Sequence, residues 1–489
     1  MNKRLCFFVT GIFLLFFTIG FSQETKPKKP TEIIILHTND MHAKIDNMAK
    51  LAYLADSLRR FHPFVFLVAA GDNFTGNPVV DMVPEKGYPM IDLMNLCGFN
   101  VSALGNHEFD MGQELLNKRL DQAGFPFICC NIDVSGSLIK QLQPFLVLTT
   151  GTGISIALLG IIQLDDNGLP SADPSKMKGI KFFSGLSKAR EYTWLKERYG
   201  ILIGLTHLGV EDDVLLADSM PQFDMIIGGH SHTLLEKPIM ENGVMIVQAG
   251  SNLSNIGKTT LMVEDGHVTG RGDEVIPVSL LKNEKNEIRQ LIDQYNNNKE
   301  FEQVVGIAEK PIEGADELGS MMTDAITNQL KVDFAFQNKG GIRVHSLSEG
   351  NITLKDVYRL DPFNNQIILF SMKPDEIQSL ICYGFQHEKE IDLQVSGMSY
   401  KLTDDGNRNC KIVEMFDKSG NPLDPSREYS VAMNNYIAVT YKFNHTDPGT
   451  ATVLTTAETL ISYLKSMSKV DYSGIKRATL NQTPASIKK

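Results

Sequence analysis

The sequence predicts an α/β protein of two domains, and three observations carry that prediction. Short β-branched, apolar runs alternate with stretches of helical periodicity, the pattern of sheets packed against helices. At 489 residues the chain exceeds what one ordinary hydrophobic core supports. Five short Asp-, Asn- and His-bearing blocks fall just past the predicted strand ends, where open α/β sheets gather their functional residues.

The elements follow in order. Met1-Asn-Lys-Arg4, the apolar run Leu5 to Phe21 and Ser22 have the basic start, apolar middle and small residue of a secretory signal, predicted over residues 1–22. Left uncut, the same run would act as a membrane anchor. Residues 23–31 form a Lys/Pro-rich leader. Strands are expected at Glu32–Leu36, Phe64–Ala70, Ile154–Ile162, Ile201–Leu205, Met225–Ile227 and Val244–Val247. Helical spacing runs through Met48–Arg60 and Ser187–Tyr199. These compose a first domain over 32–275. Residues 281–300 are polar, with Ile288, Leu291, Ile292 and Tyr295 on one face, and read as a linker helix. A second α/β domain is expected over 302–480.

Composition narrows the function. Apolar residues make up 42% and charged residues 21%, which suits a globular protein. The net charge of −11 argues against a nucleic-acid polymer as partner, since such a binder needs a basic face. They do not exclude a small anionic substrate, because a bound cation reverses the local field. Without Cys6, the remaining cysteines are Cys97, Cys129, Cys130, Cys382 and Cys410. An odd number with an adjacent pair is no disulfide framework; buried thiols are expected, with a Cys382–Cys410 bridge as the alternative.

The blocks carry the chemistry. They are Thr38-Asn-Asp-Met-His42, Gly71-Asp-Asn73, Gly105-Asn-His-Glu108, Thr206-His207 and Gly228-Gly-His-Ser-His232. Taken alone, each Asp is as readily a turn former and His207 a core histidine. Together, Asp40, His42, Asp72, Asn106, His207, His230 and His232 supply ligands for two divalent metals sharing one carboxylate, with Asp72 as the bridging candidate. Mixed carboxylate and imidazole suits Zn, Mn or Fe better than Ca. Two such ions about 3.5–4 Å apart are a standard apparatus for hydrolysing phosphate esters. His107, beside Asn106, is better placed as a proton donor than as a ligand, with Asp110 orienting its ring. Glu108 is read as a helix-start carboxylate without a chemical role.

These blocks resemble those of the calcineurin-like metallophosphoesterases. Ile35-Leu-His-Thr-Asn-Asp40, Gly71-Asp-Asn-Phe-Thr-Gly76 and Gly105-Asn-His-Glu-Phe-Asp110 resemble in particular the secreted 5′-nucleotidase, UDP-sugar hydrolase and cyclic-nucleotide phosphodiesterase family. The resemblance implies a four-layer α/β/β/α metallophosphoesterase domain joined by the linker helix to a nucleotidase-type C-terminal domain. It implies one metal on Asp40, His42, Asp72 and His232, a second on Asp72, Asn106, His207 and His230, and His107 with Asp110 as a catalytic dyad. Hydrolysis would proceed by in-line attack of metal-bound hydroxide, and the enzyme would be periplasmic or secreted.

In that family the C-terminal domain holds the nucleoside. Asn338-Lys-Gly-Gly-Ile-Arg343 and Asp361-Pro-Phe-Asn-Asn365 resemble two of its blocks. They imply a substrate handle of Asn338, Gly340, Gly341 and Arg343, a stacking face on Phe363 and a base-edge contact at Asn365. The third block departs. Tyr436 can replace the stacking aromatic, but the Gly-Gly-Asp-Gly that follows in the family is missing, and the place of its ribose-binding Asp falls near Lys442. An upstream arginine of the family is also absent from Lys310–Gly319. The expected activity is therefore hydrolysis of nucleoside monophosphates, with UDP-sugars, cyclic nucleotides or sugar phosphates as alternative substrates.

Overall fold

The computed structural model describes residues 30–140, 142–165, 167–405 and 409–481. The predicted signal segment lies outside them. No helix among the described residues is long and apolar enough to cross a membrane.

The first domain has four layers. Its first sheet runs, in spatial order, His267–Pro277, Asn255–Glu264, Thr31–Thr38, Val65–Ala69, Val101–Ala103 and Phe127–Ile128. Its second runs Ile239–Glu241, Val244–Val247, Met225–Ile227, Ile201–His207, Ser155–Ile162 and Phe145–Thr149. The central strands of each sheet are parallel. Strand alternation explains the layering. Ile33, Ile35, Val68 and Val101 meet Leu158, Ile203, Leu205 and Met225 between the sheets. Leu36, Leu67 and Ala69 face a helix layer formed by Met48–Phe61 and Tyr88–Cys97. Ala157, Leu159, Leu202 and Ile226 face the helices on the other side. Because these strands are buried on both faces, they read as unbroken apolar runs.

Three local expectations are corrected. Ser187–Tyr199 is not one helix but two, Gly185–Arg190 and Trp194–Tyr199. The break lets both Tyr192 and Trp194 set their rings edgewise on Phe145, at 6.1 and 5.8 Å. The helix expected through 281–300 is confined to Asn286–Asn296. It packs on the first domain, burying Ile288 and Ile292 in that core, and Tyr295 donates to Asp92 at 2.6 Å. Finally, Cys382 and Cys410 form a disulfide, because the helix Pro374–Glu388 lies against the strand Cys410–Asp417 and brings the two Cα atoms to 5.3 Å. Cys97, Cys129 and Cys130 are the buried free thiols.

The second domain centres on a five-stranded sheet ordered Leu393–Ser396, Phe334–Asn338, Tyr429–Asn434, Gln366–Met372 and Thr450–Thr455. Helix Pro374–Glu388 covers one side of its core, while Gly314–Leu330 and Thr456–Ser466 pack together in a second cluster. The loops leaving Asn338 and Asn434 open toward the first domain, so a cleft of about 640 Å³ is lined by both.

Candidate active site

Every metal-ligand candidate of the first domain sits at or just beyond the carboxyl end of a parallel strand: Asp40 and His42 after Thr31–Thr38, Asp72 after Val65–Ala69, Asn106 after Val101–Ala103, His207 ending Ile201–His207, and His230 and His232 after Met225–Ile227. The backbone there is strained. Asp40, His42, Asp72, His230 and His232 all hold left-handed φ, between 45° and 78°, a region that L-residues enter at a cost. Gly71 carries the turn into Asp72 with φ +85°, and a Cβ on it would press to 2.7 Å from His207 Nδ1.

Each side chain is aimed by a partner behind it. His42 Nδ1–H donates to the Thr75 carbonyl at 3.2 Å, and His207 Nδ1–H to the Ala70 carbonyl at 2.7 Å. Both rings therefore turn Nε2 into the site. Asp40 accepts from the Asn39 amide at 2.6 Å and from the His230 backbone N–H at 3.0 Å. Asn106 Nδ2 donates to the Ser171 carbonyl, which leaves Oδ1 facing His207 Nε2 at 3.2 Å and His230 Nδ1 at 3.1 Å. Asp72 sits between the two groups of donors: its Oδ2 is 3.0 Å from His207 Nε2 and 4.0 Å from His42 Nε2.

This donor set fits divalent cations. Asp40, His42 and His232 converge, as do Asp40, Asp72 and His207, each trio with ligand atoms within 4.8 Å of one another. Two ligands of one tetrahedral ion at its normal bond lengths stand roughly 3.4 Å apart. Here His232 Nε2 is 3.5 Å from Asp40 Oδ1 and 2.9 Å from His42 Nε2. Two imidazole nitrogens at that distance share either a proton or a cation between them.

The electrostatics agree. Burial, with Arg343 and neighbouring imidazoles adding to it, holds His42 well below the usual range and His232 near 4; burial and His207 hold His230 near 3. Burial alone would raise Asp72, yet His207 and His107 keep it well below the normal carboxylate value. Burial raises Asp40 to about 7 against the pull of His207. His207 goes the other way: burial is outweighed by Asp72 and Asp40, and its value rises to about 10.

His107 stands beside these ligands, in a third trio with His42 and Asp72 whose donor atoms lie within 4.8 Å of one another. Its Nδ1 is 2.6 Å from Asp110 Oδ2, its Nε2 is 4.0 Å from Asp72 Oδ2, and the Asp110 and Asp72 carboxylates outweigh burial to raise its pKa.

Glu108 lies in the first turn of the short helix His107–Phe109, as its sequence reading has it, but its carboxylate reaches well beyond that turn. It is fully buried, and its carboxylate accepts the backbone N–H groups of Asp72 (3.0 Å), Asn73 (2.7 Å) and Gly105 (2.6 Å) and the Asn73 amide (3.1 Å). It thus ties the loop carrying Asp72 to the loop carrying Asn106 and His107. Nothing in the local sequence marks the tie to the Asp72 loop, because the backbone groups it holds there are 35 and 36 residues away.

The second domain brings Asn338, Gly340, Gly341, Arg343, Phe363, Asn365 and Tyr436 to the same cleft. Arg343 reaches 3.2 Å from His42 Nε2 and lies over the Phe363 ring at 5.6 Å. Phe363 stacks on His107, centroids 5.5 Å apart. Asn338 is mainly internal: its Oδ1 accepts from Asn434 at 2.9 Å. Gly341 is required by that packing as well, since a Cβ there would collide with the Gln337 amide. Tyr436 opens the short helix Asn435–Thr440, capped by the Asn434 side chain, and is hydrogen-bonded with Ser171 of the first domain. Lys442 is exposed and does not line the cleft, so it does not stand in for the missing acidic residue.

Fold and site together define the class: a metal-dependent phosphoesterase of two α/β domains. Residues 33–234 match the calcineurin-like phosphoesterase family and residues 302–442 the 5′-nucleotidase C-terminal domain. The chain is 26% identical over 86% of its length to the trifunctional nucleotide phosphoesterase YfkN of Bacillus subtilis, of which the match covers only 33%. It is 27% identical to protein UshA of Yersinia enterocolitica, covering 87% of this chain and 88% of that one. A 5′-nucleotidase precursor from Thermus thermophilus shares the fold with a TM-score of 0.82 at 24% identity, covering 93% of this chain and all of the other. The chain thus carries a calcineurin-like phosphoesterase domain fused to a 5′-nucleotidase C-terminal domain, and it is similar over most of its length to UshA and 5′-nucleotidase proteins.

Proposed function

We propose that this protein is an extracytoplasmic 5′-nucleotidase that hydrolyses nucleoside monophosphates to nucleoside and phosphate. One observation carries the reading: the cleft onto which Asp72, Asn106, His107, His230 and His232 open is the one lined by Arg343, Phe363 and Tyr436, so a phosphoryl group and an aromatic base have adjoining places. The extracytoplasmic address rests on the N-terminal leader and agrees with the Cys382–Cys410 bridge, a bond that persists in oxidising compartments.

Asp40, His42, Asp72 and His232 would hold one cation, and Asp72, Asn106, His207 and His230 the other. Ions of the Zn, Mn or Fe type match imidazole with carboxylate. When bound, the pair supplies a water of lowered pKa and positive charge against the phosphoryl oxygens.

The protein's own groups do the rest. His107, its pKa raised by Asp110 and Asp72, gives its Nε2 proton to the departing ester oxygen. Asp110 fixes the imidazole so that Nε2 faces the cleft. Arg343 offers a planar set of N–H donors to the phosphoryl oxygens from the opposite wall. Phe363 and Tyr436 flank the base.

The absence of an acidic residue in the cleft at the position of Lys442 favours a second reading, a phosphatase for sugar phosphates or other small esters. Steady-state hydrolysis by metal-loaded protein of AMP, UDP-glucose, a cyclic nucleotide, a sugar phosphate and an aryl phosphate separates the two. Preference for AMP by kcat/KM is expected. Equal or better rates on the sugar phosphate would favour the second reading, and inertness on the whole panel would refute both.

A further inference from the structure

The cleft has a wall that the chemistry above does not use. The last turn of helix Pro374–Glu388 brings His387 and Glu388 to the same cavity as Phe363 and Tyr436. Its position is well determined. Cys382, in the preceding turns, is bridged to Cys410. The Tyr383 ring lies parallel to His387 at 6.1 Å and packs on Tyr441 at 5.1 Å, and Tyr441 meets Tyr436 edgewise at 6.3 Å. Tyr441 donates its hydroxyl to Asp392 Oδ2 at 2.6 Å, while Asp392 Oδ1 accepts the Lys339 backbone N–H at 3.1 Å. The turn carrying Glu388 is thus tied to Tyr436 on one side and to the Asn338–Arg343 loop on the other.

The carboxylates near that wall differ in what they already bind. Asp165 accepts from Gln163 and Ser171, at 2.5 and 2.9 Å. Asp173 accepts from the Ser175 backbone N–H at 2.9 Å and from Asn435 at 3.3 Å. Among the described residues Glu388 has only the His387 imidazole, 3.8 Å away and beyond hydrogen-bond range. Its carboxylate, 45% exposed, lines the cavity. It also sits at the carbonyl end of a fifteen-residue helix, whose dipole adds partial negative charge. Such a spot disfavours a second phosphate and favours a group rich in hydrogen-bond donors. The two hydroxyls on adjacent carbons of a ribose are a donor pair that one carboxylate can accept together.

We propose that Glu388 is a specificity-determining residue that accepts the ribose 2′- and 3′-hydroxyls of the substrate. The proposal rests on the nucleotidase reading above. It gives the cleft a sugar acceptor on a helix end instead of on the segment following Tyr436, and it makes ribonucleoside monophosphates the preferred class.

The test compares AMP with 2′,3′-dideoxy-AMP on the metal-loaded full chain and on its Glu388→Ala and Glu388→Gln variants. The readout is the ratio of kcat/KM for the two substrates within each protein, so losses of folding or metal content cancel. The native protein should favour AMP about 10- to 100-fold, the range for one charge-assisted hydrogen-bonded contact. Glu388→Ala should bring the ratio close to one, and Glu388→Gln, which keeps one acceptor oxygen, should fall between. An Ala variant that keeps the native ratio would overturn the assignment, and so would a native protein that hydrolyses AMP without preferring it to the dideoxy substrate. Hydrolysis of the aryl phosphate but not of AMP would instead remove the nucleotidase reading itself, and this assignment with it.

Discussion

The two walls of the cleft are built on different principles. On the first-domain wall, Asp40, His42, Asp72, Asn106 and His207 are nearly or fully buried, and most of their polar atoms are held from behind by a backbone or amide group. Five of the ligand candidates sit on left-handed backbone. On the second-domain wall, Phe363, Asn364, Asn365 and Tyr436 are only half-buried, and the contacts across the cleft are ring stacking and single hydrogen bonds. The first wall is over-determined and the second adjustable. Reaction type should therefore be hard to change in this protein and substrate preference easy.

The sharpest way to break the comparison is at the centre of the rigid wall. Asp72→Ala removes the carboxylate proposed to be shared by both cation sites, and its activity should fall to that of chelator-treated native protein, with elemental analysis showing loss of bound metal. The same wall sets the pH dependence of metal uptake. In the cation-free protein Asp40 is raised to about 7 and His207 to about 10, so at pH 7 His207 carries a proton and Asp40 about half of one, and both must give them up to act as ligands. His230 near 3 and His232 near 4 are already neutral. Loading at pH 7 should thus release about one to two protons and strengthen as pH rises from 6 to 8. Titration calorimetry in two buffers of different ionisation enthalpy measures this; a release of none would contradict it.

His107→Asn comes next. It should lower kcat on AMP about 10²- to 10⁴-fold while metal content stays at two ions. The loss should shrink on an aryl phosphate, whose leaving group needs no proton. Because the native imidazole has a raised pKa, activity on AMP should hold above pH 6.5 and decline on the alkaline side. Equal losses on both esters would show that His107 stabilises charge and does not donate a proton.

Glu108→Ala tests whether the rigidity comes from the cross-loop tie. With no acceptor for three buried backbone N–H groups, metal affinity should fall roughly 10- to 100-fold, as when outer-shell partners of metal ligands are removed. Unfolding midpoints should fall too, each orphaned donor costing about 1–3 kcal/mol. Glu108→Gln retains one acceptor oxygen and should lie between. Unchanged metal affinity in the Ala variant would confine Glu108 to a structural role away from the site.

How legible these walls were in the sequence follows the same contrast. The strands were readable because burial on both faces writes them as apolar runs, and the convergence of the ligand candidates because His and Asp residues cluster in Gly-rich turns just past them. Glu108 was not readable, since its partners are backbone groups brought together only by parallel pairing of Val65–Ala69 with Val101–Ala103. The Cys382–Cys410 bridge was legible only as an alternative, because a cysteine count carries no information about which helix packs on which strand. His387 and Glu388 were hidden for the same reason: a helix terminus reveals nothing of the cavity it faces. The break between Gly185–Arg190 and Trp194–Tyr199 came from tertiary packing on Phe145, which helical periodicity does not register.

The smallest expected effect falls on the adjustable wall and sharpens the comparison most. Phe363 touches both halves of the site, stacked on His107 at 5.5 Å and lying under Arg343 at 5.6 Å. If it served mainly to hold His107, truncation would act on kcat and act alike on every ester. If it serves as a face for the base, truncation acts on KM and only for nucleotides. Asp110 already fixes the His107 ring at 2.6 Å, so the second role should dominate. An aromatic pair contributes about 0.5–1.5 kcal/mol beyond its burial, so Phe363→Ala should raise KM for AMP roughly 2- to 12-fold, with Phe363→Tyr close to native. The aryl phosphate, whose own ring is smaller and less tied to this face, should show a lesser shift. A fall in kcat shared by AMP and the aryl phosphate would mean that the adjustable wall reaches into the chemistry, and the division between the two walls would have to be redrawn at this ring.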